Sequence, residues 1–409
     1  MGITEPIQGT TAPGGTQPGG SFAATAVVPP GLEQPAAAEL SALGATDVQP
    51  LQRAVALRCD LATLYRLHLQ ARLPFRILRE LARFPCRSRE DLYRGVQQAA
   101  DWALWLPPDC RFRVDASGRA PGLSHSHYSA LEVKNALVDW QRQHWGERST
   151  VDLETPDLSF HLHLARGRGG PEAVLSLEGS GGSLHRRGYR AAMGLAPLKE
   201  NLAAGLISFT GWDGRVPLAD PLCGSGTLLI EAACLALGRA PGLSGPGRPP
   251  RRFALQGWPD FQPDLWETEL DQARALQRDH GPQGDPLAPI VGREQDPSVL
   301  EQARTNAAAA GVGGWLDLQA GDVRDFEPPE AAGVLVCNPP YGERIGERDD
   351  LEQLYADLGT MLKQRCGGWT LWLLSGNPEL TGALRMKASR RIPVSNGGID
   401  CRWLNYDIR

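Results

Sequence analysis

Asp220-Pro221-Leu222-Cys223-Gly224-Ser225-Gly226-Thr227 joins a short apolar run to the almost wholly apolar stretch Thr227–Leu237. Glycines at 224 and 226 let the backbone approach a ligand closely and present amide N–H groups at a helix N-terminus. A dinucleotide fold wants a third glycine near 229, where Leu229 stands. A Walker loop wants Lys and then Ser or Thr, which Thr227 and Leu228 exclude. A carboxylate just before the turn repels phosphate but suits a cation, and the ammonium and sulfonium of S-adenosylmethionine fit it. The expected cofactor contacts are Asp220, Pro221, Cys223, Gly224, Ser225, Gly226 and Thr227.

Two more acids follow the next two strand-like runs. Glu294 ends Ile290–Glu294 and is placed to accept from ribose hydroxyls. Asp296, with Pro297 behind it, reads instead as a helix cap. Asp322, in Gly321-Asp-Val-Arg-Asp325, follows the third run and suits the adenine amine. Three acids after three successive strands belong to the carboxyl edge, where open α/β sheets bind ligands.

Asn338-Pro339-Pro340-Tyr341 follows the apolar strand Gly333–Cys337. A ring-bound NH₂ is a poor nucleophile because its lone pair is delocalised. The Asn338 side-chain carbonyl and the Pro339 backbone carbonyl can accept its two hydrogens and aim the lone pair at a methyl group. The paired prolines, 339 and 340, hold those acceptors stiffly, and Tyr341 offers a face for a flipped-out base. No metal is needed for such a transfer. Arg344 and the acids of the stretch 342–350 read either as a loop over the site or as a solvated charge run.

These residues need a parallel sheet to gather them. From residue 183 strand-like and helix-like runs alternate, the mark of α/β architecture. The domain expected over 183–409 is Rossmann-like, with an irregular insertion at about 238–288 that holds one helix around Leu265–Gln277. Ahead of it, residues 29–182 interleave helices (Leu32–Leu43, Leu61–Leu73, Asp91–Leu104, Ser129–Trp145) with short strands, as in an α+β module. Ser180-Gly-Gly-Ser183 reads as a flexible join. Residues 1–28, rich in Gly, Pro, Thr and Ala, read as a disordered tail.

The formal charge of −5 over 409 residues advertises no polyanion partner for the chain as a whole, so any nucleic-acid contact is local. Two basic stretches qualify: the run His185–Arg190, with Arg186, Arg187, Tyr189 and Arg190, and residues 51–94, where ten arginines (53, 58, 66, 72, 76, 79, 83, 87, 89 and 94) face four acids. Eight cysteines without a C-x-x-C pair fit reduced thiols. No Lys or Arg precedes Arg53 and no apolar run reaches membrane length, so a soluble cytoplasmic protein is expected. His125/His127 and His161/His163 lack further partners at ligand spacing and read as surface, with no metal expected.

Taken together, Leu184–Arg190, Ala196–Glu200, Asp220–Ala232, Ala303–Asn306 and Asn338–Arg344 make the chain resemble the bacterial 23S rRNA guanine-N2-methyltransferases that carry a THUMP domain, including the amino-terminal half of the bifunctional K/L enzymes. The resemblance runs from Gly31 to Arg409. It implies a ferredoxin-like plus THUMP RNA-binding module followed by a Rossmann-like, S-adenosylmethionine-dependent methyltransferase domain. It implies as substrate a guanine of the peptidyl-transferase region, in 23S rRNA or a pre-50S particle. Glu294 stands where the resemblance leads one to expect Asp. Ending at Arg409, the chain is expected to lack the second, 7-methylguanine-forming domain of the K/L enzymes. N-P-P-Y also occurs in adenine-N6 and glutamine methylases, and a non-catalytic assembly factor of the same fold is the other alternative.

Overall fold

The computed structural model describes residues 20–167, 169–190, 198–281, 284–340 and 348–409. Order begins earlier than the composition suggests. Strand β1 (Phe22–Val27) pairs with a neighbour on each side, so the expectation of a disordered tail to residue 28 is corrected for this segment. Its buried positions, Ala24 and Ala26, are small side chains that give a weak periodic signal. Residues 1–19 lie outside the described residues.

After β1 come α1 (Glu33–Ala42), β2 (Thr46–Leu51), β3 (Ala54–Cys59), α2 (Leu61–Gln70) and β4 (Arg76–Pro85). Asp60 caps α2 by accepting from the Thr63 amide at 2.8 Å. Next are α3 (Arg89–Gln97), α4 (Trp102–Trp105), β5 (Arg111–Gly118), α5 (Ser126–Trp145), β6 (Thr150–Val151), β7 (Leu158–Gly167) and β8 (Gly170–Glu178). The single helix expected over Asp91–Leu104 is two, because Asp101 takes the Ala103 amide and starts a new turn. All eight strands form one sheet in the order β2-β3-β1-β4-β8-β7-β5-β6. The antiparallel β4–β8 pairing makes the front module continuous.

The remainder contains α6 (Glu200–Thr210), β9 (Leu218–Asp220), α7 (Thr227–Ala236), α8 (Pro263–Ala275), β10 (Ile290–Glu294), α9 (Pro297–Ala309), β11 (Leu316–Ala320), β12 (Val334–Cys337), α10 (Arg348–Arg365), β13 (Thr370–Ser375), α11 (Pro378–Ala383), β14 (Arg390–Asn396) and β15 (Ile399–Asp407). The second sheet runs β11-β10-β9-β12-β13-β15-β14. Its first five strands are parallel, and β15 inserts antiparallel beside β13. Strand order reverses at β9: the chain leaves toward β10 and β11 and returns to β12 on the other side. That switch point opens a crevice at the carboxyl ends of β9, β10 and β12.

The join at 180–183 is corrected as well. Ser180 is buried, its Oγ accepts from the Ile77 amide at 3.0 Å, and its own N–H donates to Glu178 at 2.7 Å. The insertion clamps the two modules together. Tyr65 of α2 packs its ring 5.5 Å from those of Phe261 and Trp266, and Arg66 pairs with Glu269 of α8 at 2.7 Å. Arg79, 2% exposed, lies over the Phe22 ring and pairs with Asp260 at 2.5 Å.

Candidate functional site

Asp220 ends β9 and is buried. Its Oδ1 accepts from the Leu222 amide at 3.0 Å, and the Cys337 thiol at the end of β12 donates to the same carboxyl. Burial, with Glu294 nearby adding like charge, pushes Asp220 up to about 8. The chain then turns through Gly224 (φ +54) and Gly226 (φ +80), both left-handed, and α7 begins at Thr227. A Cβ built on Gly224 meets nothing within 4 Å, whereas one on Gly226 comes 3.3 Å from the Ala303 Cβ of α9. The first glycine therefore faces open space and the second seats one helix on another.

Glu294 ends β10, next to β9. Its Oε2 accepts from the Gly224 amide at 3.1 Å and its Oε1 from the Asp296 amide at 2.9 Å. This ties the second acid to the turn and leaves each oxygen a lone pair. Asp296 accepts from the Ser298 and Val299 amides and caps α9 as expected. Asp322 follows β11, but both its oxygens hold Arg324, at 2.9 and 2.7 Å, and it caps a short turn. It is less available to a ligand amine than its position suggested.

Cys223 and Pro221 serve the turn through the backbone. The Cys223 amide donates to the Arg293 carbonyl at 2.9 Å, and its thiol sits against Gly292 of β10. Both side chains are buried. The Ser225 carbonyl accepts from the Asn306 amide nitrogen at 3.2 Å, a brace from α9 to which sequence reading gave no role.

Leu335 of β12 lies level with Ala219 of β9, so Asn338 emerges one residue beyond Cys337 at the same edge as Asp220. The Asn338 Oδ1 is buried and has no hydrogen-bond partner among the described residues. Such an orphan acceptor costs free energy unless a ligand donor fills it. Pro339 is buried and Pro340 exposed, with the Tyr355 hydroxyl of α10 at 3.5 Å from the Pro340 carbonyl. Tyr341, Arg344 and the acids up to Glu347 lie outside the described residues, as do Ala196 and Pro197.

Most of the basic run turns inward, which leaves only part of it free for the expected contact with RNA. Arg187 has a 5%-exposed side chain that donates to the Leu184 and Arg72 carbonyls. Tyr189 is buried, with its hydroxyl 3.1 Å from Glu231 of α7. Arg190 donates to Glu200 at 2.8 Å, to the Leu198 carbonyl and to the Thr227 hydroxyl at 2.9 Å. It braces the start of α7. Arg186 alone of the four is exposed. In 51–94 the expected basic face is likewise largely neutralised: Arg66, Arg79, Arg83, Arg89 and Arg94 are ion-paired and Arg72 donates inward.

His161 and His163 share the Ser117 hydroxyl, at 3.3 and 2.9 Å. Among the described residues no three potential metal ligands cluster, and no helix is long and apolar enough to cross a membrane.

Residues 187–405 match the family model described as RMKL-like, methyltransferase domain; residues 86–169 match a THUMP domain and 23–78 the RlmL ferredoxin-like domain. A Synechocystis sp. protein named as an RNA methyltransferase, slr0064, is 44% identical over 383 residues, covering 94% of this chain and 96% of that protein. The ribosomal RNA large subunit methyltransferase K/L of Pseudomonas entomophila is 40% identical over 389 residues, covering 93% of this chain and 52% of that protein. The chain thus spans about half the length of the K/L relatives it matches. The crystal structure of SMU.472, described as a methyltransferase complexed with SAH, is 28% identical with a TM-score of 0.81, covering 95% of this chain and 98% of that one.

Proposed function

The chain belongs to the RMKL-like methyltransferase family with ferredoxin-like and THUMP domains, and from that premise we propose that it methylates the exocyclic N2 of a guanine in 23S ribosomal RNA. The coarser statement follows from membership: this is a Rossmann-like, S-adenosylmethionine-dependent RNA methyltransferase. The guanine, its N2 and the substrate form, free rRNA or a pre-50S particle in the cytoplasm, are the proposal.

The residues present fit the cofactor. Asp220 provides a buried carboxyl that gives up its proton as a cationic group binds, Glu294 provides carboxylate lone pairs at the turn, and Gly224 leaves the space beside it open. Bound there, S-adenosylmethionine supplies a methyl group already activated on sulfonium, so positioning accounts for most of the acceleration.

One observation carries the amine reading: the buried Asn338 Oδ1, without a hydrogen-bond partner among the described residues, at the same sheet edge as Asp220. An amide carbonyl in that state accepts an N–H of the target amine. The Pro339 carbonyl takes the second hydrogen, and the nitrogen lone pair is left to face the methyl. Tyr341 offers its ring to the extruded base.

Mass mapping of rRNA from a deletion strain tests this. 2-Methylguanine is expected to vanish from one large-subunit position. Wild type restores it, and Asn338→Ala fails to, although it still binds S-adenosylmethionine. Unaltered 2-methylguanine in the deletion strain overturns the target. Loss of 6-methyladenine instead moves the activity to adenine.

A further inference from the structure

We infer that the insertion, laid over residues 183–190, builds a basic track that leads RNA phosphates from the front module to the cofactor turn. This rests on RNA being the substrate and gives the insertion a role in holding it.

Residues 179–199, with Arg186, Arg187, Arg190 and Lys199, and residues 232–259, with Arg239, Arg248, Arg251 and Arg252, contain no acid. They are far apart in sequence, and the fold lays one on the other. Arg251 donates to the Arg186 carbonyl at 3.1 Å and to the Ser183 carbonyl at 3.3 Å. Arg248 donates to the Gly188 carbonyl. Two residues further, Arg190 reaches the Thr227 hydroxyl in the first turn of α7. The contacts therefore form a continuous path from the join at Ser183 to the cofactor turn.

The acids near this path are already engaged. Glu200 holds Arg190, Glu231 takes the Tyr189 hydroxyl, Asp260 holds Arg79, and Glu178 accepts from the Ser180 amide. Arg186, Arg248 and Arg252 are exposed, and Arg251 is partly so. Arg187 and Arg239 line a small cavity with Arg72, against one lining acid, Glu231, and Arg187 and Arg239 each have an Nε without a hydrogen-bond partner. Exposed guanidinium groups on two segments that pack together, with a net-positive cavity lined from the same segments, suit a polyanion backbone, through phosphate contacts that are blind to sequence.

The test uses the full chain, an unmodified transcript of the peptidyl-transferase region, and Arg186→Gln combined with Arg252→Gln, both exposed so that folding is preserved. Anisotropy titrations across about 50–200 mM salt read the slope of log affinity against log salt, which loses about 0.7–0.9 per phosphate contact removed. The pair is expected to lower the slope by about 1.5 and kcat/KM for the transcript by about tenfold, with S-adenosylmethionine affinity unchanged. A control pair, Arg274→Gln with Arg304→Gln, removes equal charge from exposed helix faces and leaves both at wild-type values. An unaltered slope and kcat/KM in the Arg186/Arg252 pair, or equal losses in the control, overturns the track while leaving the methyltransferase reading intact. If wild type neither binds nor methylates the transcript, the RNA reading falls, and the track with it.

Discussion

Asp220 has little water around it, a thiol donating to its carboxyl and a second acid close by, so the ligand-free protein holds it protonated below about pH 8. A cationic ligand favours the ionised form and expels the proton. Affinity for S-adenosylmethionine is therefore expected to rise with pH up to about 8 and then level off. Calorimetry at pH 7 in buffers of different ionisation enthalpy should register close to one proton released. Asp220→Asn should abolish that release and weaken binding about tenfold, or about 1.4 kcal/mol. PH-independent affinity in wild type would separate Asp220 from the ligand. The raised value has a second consequence. Ionising Asp220 costs the fold, so its contribution to stability declines as pH climbs from the usual carboxyl range toward 8. At pH 8, ligand-free Asp220→Asn is expected to melt above wild type. Asn338 obeys related physics with the opposite polarity: a buried acceptor waiting for donors, where Asp220 waits for charge.

A glycine turn between β9 and α7 supplies two positions with the same backbone hand and different surroundings. Alanine at either pays the left-handed penalty of about 1–2 kcal/mol. At Gly224 the added methyl enters open space on the ligand side; at Gly226 it presses on Ala303 and Ile230. Gly224→Ala should therefore lose S-adenosylmethionine affinity by about tenfold or more for about 1 kcal/mol of stability. Gly226→Ala should lose more stability, about 2 kcal/mol, with a smaller effect on affinity in the molecules that remain folded. Thermal melts paired with calorimetry check this, and equal affinity losses would mean that the turn acts only through its shape. The turn is also braced from both flanks, by Arg190 on Thr227 and by Asn306 on the Ser225 carbonyl. Those braces come from residues 37 and 81 positions away, so the helix start reports on packing well beyond its own loop.

The two modules are held by a few buried contacts between the front sheet and the insertion. Arg79 is the most exacting of them: a guanidinium enclosed by Phe22, Trp105 and Trp258, with Asp260 as its counter-charge. Removing one partner of a buried pair leaves an uncompensated charge and costs about 3–5 kcal/mol. Asp260 retains some exposure, so Asp260→Ala is expected at the low end, about 3 kcal/mol, read as an earlier melting transition. Because the cofactor turn lies elsewhere, affinity for S-adenosylmethionine should hold at temperatures below that transition while RNA affinity falls with the loosened front module. A melt unchanged from wild type would mean that the aromatic enclosure alone carries the join.

Sequence alone determined the parts of the site that are local. An apolar strand ending in Asp220, a turn needing glycine, Glu294 closing the next strand and Asn338 closing the one after β11 are each written in a few contiguous residues. A parallel sheet with its switch point at β9 brings such strand ends to one edge. Tertiary structure alone decided what the charges do. Arg187 and Tyr189 look like an RNA contact until Arg72 and Glu231 are found beside them, and Arg66 meets Glu269 across 203 positions of chain. Periodicity and turn chemistry act over a turn or two of backbone, whereas the partner of a charge is set by which distant surface folding lays against it.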